Sequence, residues 1–222
     1  MAIILNIETS TTNCSVSLSN DRETLVLKED NSANYSHAET LHVFIKEVIE
    51  EAQISNTEID AIAVSKGPGS YTGLRIGVST AKGLCYALDK PLIAVPTLHS
   101  LAHQVSDIDG YIVPMLDARR MEVYSAVFDN NYKQIRATEA EVLEAGSFSN
   151  YLEERLVYFV GNGVEKTQTL IQHPNARFVE NKMPSARDMR HISHHKYKIS
   201  DIEDVAYFEP YYLKDFVAIK PK

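Results

Sequence analysis

The chain has 222 residues, 44% apolar and 23% charged, which is the balance of an ordinary globular protein with room for one large or two small domains. That balance excludes disorder, collagen and coiled coil as the main organisation. Lys and Arg total 22 and Asp and Glu 30, so the net charge of −8 is a poor basis for holding nucleic acid unaided. Two cysteines, Cys14 and Cys85, sit in apolar segments and exclude a disulfide-built fold. The short apolar run at the start is no secretory leader, and no stretch approaches the roughly 20 apolar residues that span a bilayer. A cytoplasmic protein is expected.

In chain order, Ala2–Ile7 reads as a buried strand, and Cys14–Leu18 and Thr24–Leu27 as two more. Ser36 with Glu39 has the spacing of a helix capping box. Leu41, Phe44, Ile45, Val48 and Ala52 then recur at helical spacing. Ile59–Val64 is the next strand, Gly67–Gly73 a loop, Thr72–Leu88 a second helix and Pro91–Val95 a strand. The chain turns polar at Asp107–Gly110, which places a boundary between units 1–106 and 107–222. The second unit opens like the first, with strands at Tyr111–Leu116, Glu122–Phe128 and Tyr132–Arg136. Helices are expected at Ala140–Glu144 and Ser147–Arg155, a strand at Leu156–Val160, and helices at Val164–Ile171 and from Ser185 to His195. Two halves with the same beginning point to a duplicated α/β fold.

The strongest motif is Gly67-Pro68-Gly69-Ser70-Tyr71-Thr72-Gly73-Leu74-Arg75, between a strand and a helix. Its glycines permit close approach of a phosphate or of another backbone, and Ser70 or Thr72 can cap the helix. No Lys-Ser/Thr follows, so it is not a P-loop. Glu8, followed by Thr9, Ser10 and Thr11, is a second candidate for a hydrated Mg²⁺ and phosphate. Behind the apolar stripe of the second helix run Ile76, Thr80, Gly83 and Ala87, small or apolar where a surface helix is normally polar, which suits a partner surface. His99 and His103 have the i, i+4 spacing of metal ligands but no HExxH context. Asp117-Ala118-Arg119-Arg120 with Glu122 is a functional loop or a salt-bridged hairpin.

Together, residues 4–10, Ser36–Leu41, Gly67–Arg75, Ala81–Leu84, Asp117–Arg119 with Glu122–Tyr124, and Tyr212–Lys214 resemble the TsaB (YeaZ) family over almost the whole chain. The resemblance implies an actin-like (ASKHA) fold of two RNase H-like lobes, each a mixed five-stranded sheet flanked by helices. It also implies a non-catalytic scaffold in tRNA threonylcarbamoyladenosine (t6A) synthesis. Such a subunit pairs with the catalytic paralogue TsaD, recruits the ATPase TsaE and meets tRNA only through the complex. When TsaD is absent it forms a homodimer through the same surface. The implied partner face comprises Leu41, Phe44, Ile45, Val48, Arg75, Ile76, Ser79, Thr80, Gly83 and Ala87. The nucleotide candidates are Glu8, Ser10, Thr11, Gly67, Gly69, Ser70 and Thr72. No intrinsic cofactor is implied, ATP or ADP with Mg²⁺ being expected only at the complex. The sequence departs from the family pattern at Glu8, where Asp is usual, and lacks a glycine in Asp117-Ala118-Arg119. The metal-binding histidines of TsaD align with Thr97 and Leu101, two residues before His99 and His103. A register slip of two would restore a metal site, and with it the alternative: a metal- or ATP-dependent actin-like enzyme, such as a glycoprotease-like metallopeptidase.

Overall fold

The computed structural model describes residues 1–31 and 37–214. The first lobe carries β1 (Ile4–Glu8), β2 (Cys14–Ser19), β3 (Thr24–Asp30), α1 (His37–Glu51), β4 (Ala61–Gly67), α2 (Tyr71–Leu88), β5 (Leu92–Pro96) and α3 (Thr97–Ala102). The second carries β6 (Gly110–Asp117), β7 (Glu122–Phe128), β8 (Gln134–Val142), α4 (Ser149–Glu154), β9 (Leu156–Val160), α5 (Val164–Leu170) and β10 (Ala176–Val179). A 3₁₀ turn then leads into α6 (Arg190–Lys198). Among the described residues the strands form two five-stranded sheets, ordered β3-β2-β1-β4-β5 and β10-β9-β6-β7-β8. Each is an antiparallel meander whose first strand continues into parallel pairings, so the duplication expected from strand order is present in topology. No helix among the described residues is long and apolar enough to cross a membrane.

The first sheet is covered on both faces, and alternation along its strands assigns each residue to a face. Leu5, Ile7, Cys14, Val16 and Leu18 meet Leu41, Ile45 and Val48 of α1 and Val78, Ala81 and Cys85 of α2. Ile4, Ala61, Ala63, Ile93 and Val95 meet Ala186, Met189 and Ile192 on the opposite face. Residues 186–198 therefore return to the first sheet, although they follow the 106/107 boundary. The intervening residues of β2 hold that return. Ser15 Oγ accepts from the Ala186 amide at 2.8 Å, Ser17 Oγ donates to the Ala186 carbonyl at 2.9 Å, and Ser19 Oγ lies 3.1 Å from His194 Nε2.

One expectation changes and one strand is additional to those expected. Ala140–Glu144 is not a helix: 140–142 complete β8, paired with β7 at Tyr124↔Ala140, Val123↔Glu141 and Glu122↔Val142. The ladder, with Arg136 bridging Glu141 at 2.6 Å, outweighs the helical preference of Ala and Glu. The four-residue β10, too short to signal itself, pairs parallel with β9. The capping residue Ser36 lies outside the described residues.

Candidate functional site

The glycine motif begins where β4 leaves the sheet. Gly67 has φ +108°, a conformation that L side chains rarely adopt, and a Cβ there would meet the Tyr211 carbonyl oxygen at 2.7 Å. Ser70 caps α2, its Oγ accepting from the Gly73 amide at 3.3 Å. The remaining glycines face the turn after β1. A Cβ on Gly69 would meet Ser10 O at 2.5 Å, one on Gly73 would meet Thr9 O at 2.1 Å, and one on Gly77 would meet Thr9 Oγ1 at 2.2 Å. The Ser70 amide donates to Ser10 O at 2.6 Å, and Thr9 Oγ1 donates to Gly73 O at 2.8 Å.

Of the candidate nucleotide residues, Ser10, Gly69 and Ser70 are thus drawn together by direct packing of one turn on the other, with Glu8 bonded to the Ser10 amide, whereas Gly67 packs on Tyr211 and Thr72 is exposed. Glu8, Ser10 and Thr11 are buried. One Glu8 oxygen accepts from the Ser10 amide at 2.6 Å and from Ser65 Oγ at 2.8 Å; the other has no partner among the described residues. Burial raises the Glu8 pKa against the pull of these hydrogen bonds, which favours the neutral acid. A carboxyl so enclosed orders the Thr9–Ser10 turn and presents no charge to solvent.

The outer surface of α1 and α2 has a different character. Leu41, Ile45 and Val48, expected on the partner face, are core residues. The 3.6-residue period places them against the sheet, and α1 shows its outer side through Val43, which is 50% exposed, beside half-buried Phe44. On α2, Arg75, Ser79, Gly83 and Ala87 are exposed along one line, with Ile76 and Thr80 half-buried at its inner edge. A Cβ on Gly83 would meet nothing within 4 Å. Nothing inside the described chain therefore requires a glycine there. Tyr86, one turn on, is 87% exposed, an aromatic that the stripe of small residues did not single out.

His99 and His103 occupy α3 and the residue after it. Their rings stack at 5.4 Å and 24°, His99 also against Phe128 at 5.0 Å, and His103 against Tyr132 at 4.0 Å and His191 at 5.5 Å. Stacked faces do not converge nitrogens on a common point, and no group of three or more His, Cys, Asp or Glu among the described residues could hold a metal ion. Burial, then the neighbouring His99 and His191, pushes His103 down to about 4. His103 takes up a proton near 6.5 when unfolded, so the unfolded state binds the extra proton between there and about 4. Stability should fall as pH drops through that window. A His103→Phe chain, which keeps the stack, should show a flatter melting temperature between pH 7 and 4.5; a profile parallel to wild type would contradict this.

Asp117 and Glu122 bound a turn in which Arg119 and Arg120 have φ of 71° and 49°. Lys166 of α5 holds it, its Nζ donating to Asp117 Oδ1 at 2.5 Å, Arg120 O at 2.9 Å and Glu122 O at 2.5 Å. The salt-bridged alternative is the one present, with the cation supplied by α5. Ser19, His194 and Asp21 form a further sequence-distant set, His194 Nδ1 lying 3.2 Å from Asp21. Ser19 is completely buried and also accepts from Asn6 Nδ2 at 2.9 Å, so this is a latch for α6 and no acyl group can reach it. Two open clefts of about 400 and 480 Å³ are lined from both halves, one by Asn31, Asn162 and Lys182 among others, the second, more polar, by Asn13, His103 and Asp188.

The comparisons with known proteins agree with this architecture. The family model for TsaD, tRNA N6-adenosine threonylcarbamoyltransferase, matches residues 31–218. The tRNA threonylcarbamoyladenosine biosynthesis protein TsaB of Escherichia coli (strain K12) is 30% identical over 227 residues, covering 98% of this chain and 96% of its own. A tRNA N6-adenosine threonylcarbamoyltransferase of Staphylococcus aureus (strain bovine RF122 / ET3-1) is 38% identical over 123 residues, 48% of this chain and 36% of that protein. The solved structure of YeaZ from Pseudomonas aeruginosa superposes with a TM-score of 0.83 at 25% identity, covering 96% of this chain and all of its own. With two matching lobes, a Gly67–Gly73 turn closed on Ser10 and full-length relatedness to TsaB, the chain has the expected actin-like fold and belongs to the TsaB (YeaZ) family.

Proposed function

We propose that this chain is the non-catalytic partner subunit of the complex that makes threonylcarbamoyladenosine in tRNA. It pairs through the outer face of α1 and α2 with a TsaD-type transferase. That transferase places the threonylcarbamoyl group on adenosine 37 of ANN-decoding tRNAs, and the pair recruits the ATPase TsaE. The observation that carries the reading is Gly83: an exposed helix glycine with no internal neighbour, among Ser79, Tyr86 and Ala87, which permits close approach of another chain. The E. coli relative, named for threonylcarbamoyladenosine biosynthesis, supports the reaction. The enclosed Glu8 and the Ser70–Ser10 hydrogen bond support placing nucleotide and Mg²⁺ at the joint complex and not in this chain's glycine turn. A net charge of −8 supports indirect contact with tRNA.

In the absence of the transferase, a second copy covers α2. Size-exclusion chromatography with light scattering tests the pairing. The chain alone should run as a homodimer that gives way to a mixed complex when equimolar transferase is added. A homodimer that persists beside free transferase would overturn the reading.

A further inference from the structure

Residues 203–214 form a strap whose backbone and lysine anchors are turned inward while its tyrosines face solvent. At one end the Glu203 amide donates to Leu92 O at 2.9 Å, on the edge of β5. In the middle, Lys82 of α2 donates to Ala206 O at 3.1 Å and Phe208 O at 3.0 Å, and Val205 and Phe208 pack on the first core. Further along, the Tyr211 amide donates to Lys66 O at 2.7 Å, and the absence of a side chain at Gly67 makes room for the Tyr211 carbonyl. Tyr212 then stacks at 4.9 Å on Tyr71, whose hydroxyl accepts from Arg75 at 2.7 Å. Lys214 pairs with Glu122 of the second lobe.

The strap therefore runs antiparallel to α2 for most of its length, on the Lys82 and Tyr71 side of the outward line formed by Arg75, Ser79 and Gly83. Its own surface is aromatic. Tyr207 is 84% exposed, Tyr211 44% and Tyr212 37%. Exposed tyrosines on a backbone already pinned in place lose little freedom on binding, and tyrosine is a preferred anchor of protein interfaces. Glu203, Asp204 and Glu209 lie among them against a single Lys214, which is adverse to a phosphate backbone and suits a basic protein surface.

We propose that this strap is a second contact element for the transferase that docks on α2, with Tyr207 and Tyr211 as its anchors, so that the interface extends from α1 across α2 to the edge of the second lobe. The proposal rests on the pairing proposed above. The test is the affinity of the transferase for wild type, Gly83→Arg and a Tyr207→Ala/Tyr211→Ala chain, with melting temperature as a folding control. Wild type should bind, Gly83→Arg should not, and the double variant should bind at least tenfold more weakly at an unchanged melting temperature; a Tyr207→Phe/Tyr211→Phe chain should recover most of the loss. Wild-type affinity in the double alanine chain, with Gly83→Arg still inactive, overturns the strap and leaves the α2 reading intact. So does loss of homodimer or of tRNA retention alone, with transferase affinity unchanged. Binding by Gly83→Arg at wild-type strength, or by no variant and not by wild type, overturns the α2 reading and the strap with it.

Discussion

A Gly83→Arg chain is expected to keep its fold and lose its protein partner. The expectation follows from two features of one position. A Cβ at Gly83 meets nothing within 4 Å, so the added side chain has open space in the free subunit. The same residue sits among exposed Ser79, Tyr86 and Ala87, where a second helix must come close to bury the small residues. An arginine there holds the helices apart and would carry its charge into the contact without a partner, a cost of several kcal/mol in interfaces of this kind. Affinity for the transferase should fall at least ~100-fold, about 2.7 kcal/mol. The melting temperature should stay within a few degrees of wild type. A variant that binds as wild type does would show that the partner lies elsewhere.

The second large effect sets two glycines of α2 against each other. Gly73→Ala should strongly destabilise the chain, whereas Gly83→Ala should stabilise it. At Gly73 the new methyl would lie 2.1 Å from the Thr9 carbonyl oxygen, a backbone atom held by the turn that Glu8 orders. Relief requires α2 to move off that turn, breaking the Thr9–Gly73 and Ser70–Ser10 hydrogen bonds. A loss of about 3 kcal/mol, the upper end of ordinary overpacking, is expected. In a chain of this size that lowers the melting temperature by about 10 °C. At Gly83 the alanine meets open space, and helix preference alone should add about 1 kcal/mol. Thermal denaturation of the two variants checks both signs at once. Equal effects would mean that the turn-on-turn packing does not constrain α2.

The contrast between these glycines also shows what the sequence could and could not disclose. Local order was legible: the strand–strand–strand–helix beginning of each half, the α2 stripe and the Gly67–Gly73 turn all follow from period and turn chemistry. The spacing of glycines, however, is the same for a phosphate cradle and for a backbone contact; only the positions of Ser10 and Thr9 separate them. Leu41, Ile45 and Val48 illustrate a related limit. Periodicity shows that a helix has an apolar face, and it does not say whether that face meets the core or a partner. The return of α6 to the first sheet depends on Ser15, Ser17 and Ser19 reaching residues about 170 positions away, with no local signal in β2 beyond its alternation. Of the tyrosine strap only its end, Tyr212–Lys214, lies in a motif visible in the sequence; Tyr207 and Tyr211 precede it, and its course along α2 is set by the backbone carbonyl of Lys66 and the amino group of Lys82, long-range contacts with no local signal.

The most direct test of the central claim is a reconstituted modification reaction. The threonylcarbamoyl-adenylate synthase, TsaD, TsaE, ATP and tRNA are combined with and without this chain, and modified adenosine is measured over time. Modification should proceed only with the chain present, and the chain with ATP and tRNA alone should produce none. Modification at the same rate without the chain, or modification by the chain alone, would contradict it.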